Sequence, residues 1–221
     1  MISIAIDGPA GAGKSTIAKG VAKKIGYIYV DTGAIYRTLA YYMISNGISA
    51  EETEKIVDNL GNAKVEIKYI DGVQCVFLNG EDVSGKIRTP QISMAASTVS
   101  AIPEVRAHLL SIQRDLAEKN NVIMDGRDIG TVVLPNATVK IFLTACVECR
   151  AERRYKEMVE KGMDANLEEV IEDIKVRDYN DSNRDVAPLK PAEDSTVIDT
   201  SWQTLEQSVA QIENFIIERL K

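Results

Sequence analysis

The sequence predicts an α/β fold, a three-layer sandwich built on a five-stranded parallel sheet and carrying an inserted antiparallel β-containing piece. Three observations carry this. Strand-like runs alternate with helix-like ones along most of the chain, the order that builds parallel sheets. One stretch, Lys64 to Leu78, breaks that rhythm with two period-two runs around Asp71-Gly72, a two-residue hairpin signal. Core strands end at Asp7, Asp31, Asp125 and Thr144, on the carboxyl edge where such sheets gather their binding groups.

Taken in order, the first strand is drawn by Ile2, Ile4 and Ile6 and stopped by a Gly/Pro cluster. A helix follows, with Ile17, Ala18, Val21, Ala22 and Ile25 at helical spacing. Between them runs G-x-x-x-x-G-K-[ST], from Gly8 to Ser15. Glycines suit a backbone that curls its N–H groups around a phosphate, where a Cβ would block the approach. The helix start adds free N–H groups and the positive end of its dipole. In this pattern Lys14 reaches the β- and γ-phosphates and the Ser15 hydroxyl ligates Mg²⁺. A chance glycine turn needs neither the strand before nor the helix after, so the class is a nucleotide-binding P-loop three-layer sandwich.

Tyr27 to Val30 reads as the second strand, leading through Asp31–Arg37 into a helix to about Ser45 that Asn46-Gly47 ends. Ser49 followed by Glu52 is a capping-box pattern for a helix from Ala50 to Leu60. The hairpin strands alternate on Val65, Ile67 and Tyr69, then on Val73, Cys75 and Phe77, and Thr89-Pro90 starts a helix beyond them. Together these form an insertion at about 62–100 in a single domain, 1–221, whose core is 1–61 and 101–221. Pro103 opens a helix to about Lys119, and Val122 to Asp125 is a buried strand ending in an acid, in the manner of a Walker-B strand. Val139–Leu143 and Thr196–Asp199 complete the five. Helices near Glu148–Glu160, Leu167–Asn180 and Thr204–Lys221 fill the rest, the first two parted by Gly162.

A chain of 221 residues can bury one substantial core, and no apolar run is long enough to span a bilayer. No secretory leader is expected, because the apolar Met1–Ile6 is short and runs straight into the phosphate loop. Cys75, Cys146 and Cys149 form no even disulfide framework, which fits a reducing cytoplasm. Cys146-x-x-Cys149 reads as two small residues at a strand-to-helix junction, with His108 too distant for a zinc set. A net charge of −7 argues against a nucleic-acid or membrane surface. An acidic protein that handles phosphates must concentrate its cations locally.

The arginines are indeed clustered. Three polar constellations join the nucleotide loop: Asp31–Arg37, Asp125–Thr131, and Arg177–Arg184 ahead of Ala187-Pro188. Arg150, Arg153 and Arg154 form a fourth group on a helix. Each has a structural explanation too: a solvated helix end for Arg177–Arg184, an exposed face for Arg150–Arg154, an ion pair with Asp125 or Asp128 for Arg127. Joint placement favours function. ATP and a phosphorylated acceptor bring about six negative charges into one cleft. Guanidinium groups bind phosphate oxygens bidentately and never deprotonate. A phosphate acceptor, with a second pKa near ~6, needs no general base.

The motifs G-P-A-G-A-G-K-S-T, D-T-G-A-I-Y-R, D-V-S-G-K-I-R-T (Asp82 to Thr89), D-G-R-D-I-G-T-V-V and R-D-Y-N-D-S-N-R-D-V-A-P-L together resemble the bacterial cytidylate kinases. The likeness runs in order from Ile2 to about Leu189. It implies a cytoplasmic, monomeric enzyme that transfers the γ-phosphate of ATP, with Mg²⁺, to CMP or dCMP. It implies ATP phosphates at Gly8, Pro9, Ala10, Gly11, Ala12, Gly13, Lys14, Ser15 and Thr16, with Ser15 toward the metal. Arg37, Arg127 and Arg184 would hold the acceptor phosphate, beside Thr32. Ser97, Arg106 and Asp128 would read cytosine, while Arg177 and Asp181 would contact ribose and the nearby phosphate. Arg150, Arg153 and Arg154 would belong to a short, mobile helical lid at about 150–166 that closes over ATP, Arg154 reaching the transferring group, and catalysis would fall to Lys14, Arg127, Arg154 and Arg184. The hairpin insertion distinguishes this family from shorter nucleoside-monophosphate kinases. Two other readings share the phosphate loop. A small-molecule alcohol kinase would need a positioned base and fewer acceptor arginines, and a nucleotide switch would need switch loops in place of these acceptor motifs.

Overall fold

The computed structural model describes residues 1–160 and 162–220. Lys161, within the expected lid, and Lys221, the expected end of the last helix, lie outside them. The elements run β1 (Ser3–Asp7), α1 (Lys14–Ile25), β2 (Ile28–Asp31), α2 (Thr32–Ser45), α3 (Thr53–Asn59), β3 (Val65–Ile70), β4 (Val73–Leu78) and β5 (Glu81–Asp82). They continue α4 (Pro90–Val99), α5 (Pro103–Lys119), β6 (Val122–Gly126), β7 (Val139–Thr144), α6 (Val147–Glu160), α7 (Leu167–Asn183), β8 (Thr196–Asp199) and α8 (Leu205–Arg219).

The expected sheet is present, a five-stranded parallel sheet in the order β2-β6-β1-β7-β8. Asp7 at the end of β1 lies opposite Gly126 of β6 and Phe142 of β7, and Thr144 lies opposite Asp199 of β8. The register therefore delivers the loops after β1, β6, β7 and β8 to one edge. β3, β4 and β5 form a separate antiparallel sheet. Its first turn, Asp71-Gly72, has both φ angles positive (51° and 74°), as a two-residue hairpin loop requires.

Contacts divide the chain into two compact units, Val30–Asn120 with Met1, and Ile2–Tyr29 with Asn121 onward. The first has its own core, in which Ile35, Leu39, Met43, Ile56, Ile87, Val105 and Leu109 are buried. In the second, Ile4, Ile6, Ile141 and Leu143 of the sheet pack with Ile17 and Val21 of α1 and Ile212 and Ile216 of α8. The helix period visible in the sequence of α1 is thus its buried stripe.

Local expectations need correcting at several points. The helix expected from Ala50 starts only at Thr53 and ends at Asn59, followed by a 3₁₀ turn over Leu60–Asn62. Half of the capping box forms, Ser49 N–H donating to Glu52 at 3.0 Å, but the Ser49 hydroxyl goes to Glu51 and caps nothing. The complete box is at Thr204 and Gln207, where α8 starts. α7 continues to Asn183, three residues beyond the expected Asn180. The cysteines are corrected as well. Cys146 and Cys149 are joined in a disulfide across the start of α6, with Cα atoms 5.3 Å apart, and Cys75 is the free thiol. No helix among the described residues is long and apolar enough to cross a membrane.

Candidate active site

In the unit that begins at Ile2, the phosphate loop leaves β1 under close constraint. Gly8 has φ 150°, and a Cβ there would stand 1.9 Å from the Leu143 carbonyl oxygen of β7. Gly11 and Gly13 also take positive φ (74° and 81°), which turns successive N–H groups toward one side. Gly13 caps α1 with no side-chain hydrogen bond, and the first turn of the helix carries no acidic residue. An anion is the partner that such an end favours. Lys14 is buried and its Nζ donates to the Pro9 carbonyl at 2.8 Å, folding the side chain back over the loop. Burial, with Arg127 adding repulsion, lowers its pKa to about 7, against the pull of Asp125, Asp181 and Asp7.

Asp125, the penultimate residue of β6, accepts from the Ser15 hydroxyl at 2.9 Å on one oxygen and from the Tyr29 hydroxyl at 2.9 Å on the other. A hydroxyl and a carboxylate in contact make a hard oxygen donor pair of the kind Mg²⁺ takes, so Ser15 and Asp125 fit that ion. Asp7 is used differently. Its two oxygens accept from the N–H groups of Ile129 and Gly130, both at 2.7 Å, which fixes the π-helical turn Ile129–Val133. Burial raises the Asp7 pKa to about 6 despite those two bonds.

Ahead of that turn lie two arginine–carboxylate pairs. Arg127 Nε donates to Asp181 at 2.7 Å, not to Asp125 or Asp128, the structural partners its sequence neighbourhood suggested. Burial works against the charge on Asp181, but Arg127, helped by Arg177 and Arg184, holds its carboxyl below the usual range. Arg184 lies 3.5 Å from Asp128, both side chains being almost wholly buried, and its Nε donates to the Ala187 carbonyl at 2.6 Å. Arg127, Asp128, Arg177, Asp181 and Arg184 are thus brought together. Of the three arginines expected on a mobile lid, Arg150 and Arg153 are anchored and, among the described residues, Arg154 is not. Arg150 is buried, bonded to the Ala145 carbonyl (2.8 Å), the Ala10 carbonyl of the phosphate loop (2.9 Å) and Asp178 (2.6 Å). Arg153 donates to the Thr200 carbonyl at 2.5 Å. Arg154 is half-buried, with no such anchor among the described residues.

The unit Val30–Asn120 carries the other candidates. Asp31 caps α2, one oxygen accepting from Ala34 N–H at 2.9 Å, while the other binds Arg37 at 2.8 Å and lies 3.7 Å from Arg88. Arg37 keeps a buried Nε with no hydrogen-bond partner among the described residues. Thr32 is buried at the start of α2. Arg106 of α5 is buried, donates to the Ser100 carbonyl at 3.0 Å and lies over the Tyr36 ring, 5.5 Å from its centroid. Ser97 is half-buried on α4, its carbonyl accepting from Ser100.

The profile of the family described as cytidylate kinase matches residues 4–218. A cytidylate kinase from Caldicellulosiruptor saccharolyticus is 53% identical over 211 residues, covering 96% of this chain and 93% of that protein. One from Bacillus anthracis is 50% identical over 216 residues, covering 98% and 96%. The chain belongs to the cytidylate kinase family. A crystal structure of an uncharacterized protein from Eubacterium ventriosum shares the fold, with TM-score 0.54 at 12% identity over 98% of this chain and 99% of that one.

Four residues in contact with the candidate side chains or their supports escape the sequence reading. Arg88 and Tyr36 each fall within a motif whose pattern gives neither a role. Asp31 stood out as a strand end but not as the anchor of Arg37, for which the six-residue spacing offered no rule. Gln74 carried no signal at all, yet its amide bonds the backbone of Asp31.

Proposed function

We propose that this chain transfers the γ-phosphoryl group of Mg-ATP to CMP or dCMP by in-line displacement. The observation that carries the reading is the set of ordered guanidinium groups, among which Arg37 keeps a buried donor without a partner among the described residues. A bound phosphate oxygen satisfies such a donor, and leaving it bare costs about 1–3 kcal/mol.

The loop amides from Gly8 to Thr16 and the start of α1 hold the donor phosphates. Lys14 leaves the Pro9 carbonyl for the β- and γ-oxygens, and its proton is retained because phosphate favours the ammonium form. Mg²⁺, when bound, supplies charge neutralisation across the donor phosphates, and Ser15 with Asp125 would hold it. Arg37, Arg127 and Arg184 hold the acceptor phosphate, Arg154 reaches the transferring group from a lid at about 150–166, and Thr32, Arg177 and Asp181 position the acceptor. Closure excludes water, which would otherwise accept the phosphoryl group. No general base is required, since the acceptor oxygen is largely ionised at neutral pH.

Cytosine specificity follows from polarity. Asp128 accepts from the exocyclic amino group and Arg106 donates to the ring acceptors, with Ser97 beside it. Uracil presents a carbonyl where Asp128 needs a donor, a mismatch that discriminates strongly. The test is coupled ADP release with CMP, dCMP, UMP, shikimate and no acceptor. Release that depends on CMP and dCMP, with UMP at least about tenfold poorer, is expected. Equal turnover of UMP would refute the Asp128 and Arg106 roles, and release indifferent to acceptor would refute the kinase reading.

A further inference from the structure

We infer that Gln74 is a positioning residue for acceptor binding, acting through the backbone of Asp31. The inference rests on the proposed role of Arg37 in holding the acceptor phosphate. Gln74 is half-buried in β4, opposite Tyr69 across the hairpin. Its Oε1 accepts from Asp31 N–H at 2.7 Å, and its Nε2 donates to the Asp31 carbonyl at 3.2 Å.

In an extended residue the N–H and C=O point the same way, and normally a neighbouring strand satisfies both. Asp31 is extended (φ −81°, ψ 96°) and is the last residue of β2. A primary amide is the uncharged side-chain group that offers acceptor and donor side by side, so Gln74 stands in for a strand where none continues. Both groups of Asp31 are satisfied at the point where the chain turns into α2.

What depends on that peptide explains why it is held at two points. The Asp31 carboxylate caps α2 through Ala34 and orients Arg37 through a 2.8 Å ion pair. Freed from Gln74, the Asp31 backbone can rotate, and cap, helix start and guanidinium shift with it. Displacements of about 1 Å in a group that binds a reacting phosphate are costly to rate. The β3–β4 ladder is made by backbone bonds along Val65–Ile70 and Val73–Leu78, so the hairpin itself does not need the amide.

The experiment compares Gln74→Leu, which removes both bonds at similar volume, with Gln74→Glu, which keeps the acceptor for Asp31 N–H and loses the donor. Steady-state kinetics vary CMP and ATP separately, alongside the melting temperature and the hydrogen exchange of the Asp31 amide. We expect KM for CMP to rise about tenfold in Gln74→Leu and by less in Gln74→Glu, with KM for ATP within about twofold of wild type. The Asp31 amide should exchange faster in Gln74→Leu and stay protected in Gln74→Glu. Equal rises in both KM values, or a loss that follows a large fall in melting temperature, would overturn the inference in favour of general loosening. An unchanged KM for CMP in Gln74→Leu overturns it when Arg37→Ala is impaired in the same assay. A wild-type KM for CMP in Arg37→Ala instead overturns the acceptor reading on which it rests.

Discussion

Gly8→Ala isolates the contact between the phosphate loop and the sheet. The added methyl would stand 1.9 Å from the Leu143 carbonyl oxygen and 3.0 Å from its carbon, so the obstacle is backbone and cannot rotate aside. Leu143 is the penultimate residue of β7, one past the partner of Asp7, and moving it means parting two adjacent strands of the sheet. The φ of 150° adds strain of its own for a residue with a Cβ. Overpacking of this kind costs about 3 kcal/mol. For a chain of this length that lowers the melting temperature by roughly 6–12 °C. Gly26→Ala is the control: its φ is 75°, but nothing lies within 4 Å of the added methyl. That change should cost about 1 kcal/mol and ~2–4 °C. Differential scanning calorimetry with KM for ATP decides the matter. Gly8→Ala should melt well below Gly26→Ala and bind ATP more weakly, whereas two variants with equal melting temperatures and unchanged KM for ATP would refute the steric argument.

Lys14 makes ATP binding proton-linked. With a pKa of about 7 in the free protein it is mostly neutral at pH 8, and a polyphosphate beside it favours the charged form. Binding should take up about 0.9 proton at pH 8 and about 0.1 at pH 6, from titration of a single site. Calorimetry in two buffers of different ionisation enthalpy measures this, and no uptake at pH 8 would contradict it. Asp181→Asn keeps the shape of the Arg127 partner but removes its charge, and should cost about 3 kcal/mol in urea unfolding. A loss below about 1 kcal/mol would show that the pair carries little structural weight.

How much of this was legible depended on how far apart in the chain the partners are. The phosphate loop is compressed into eight consecutive residues, and the hairpin announces itself at Asp71-Gly72, so both could be read directly. Short apolar runs and helical patterns placed all five core strands and most helices because burial acts on near neighbours. The arginine pairings were not legible. Arg127 finds Asp181 54 positions away, and Arg150 finds Ala10 140 positions away. Nothing in the spacing favoured Asp181 over the adjacent acids. The two-residue strand β5 is too short to have a period, and the π-helical turn after Asp128 exists because Asp7, from another strand, accepts two of its N–H groups. An odd cysteine count hides the Cys146–Cys149 bridge, because it speaks against an even framework, whereas a three-residue separation at a helix start suffices for one pair.

In the proposed mode of binding, the cations already paired to carboxylates that nucleotide groups can use are Arg127, with Asp181, and Arg184, with Asp128. Recruiting a phosphate at such a cation is a substitution, not a capture. Its driving force is the difference between two ion pairs, so a weak, singly charged anion from the medium has little to gain by entering. The displaced acids then become available as acceptors for hydroxyl and amino groups. The phosphate end of the nucleotide, by arriving first, would prepare the surface that reads the sugar and the base.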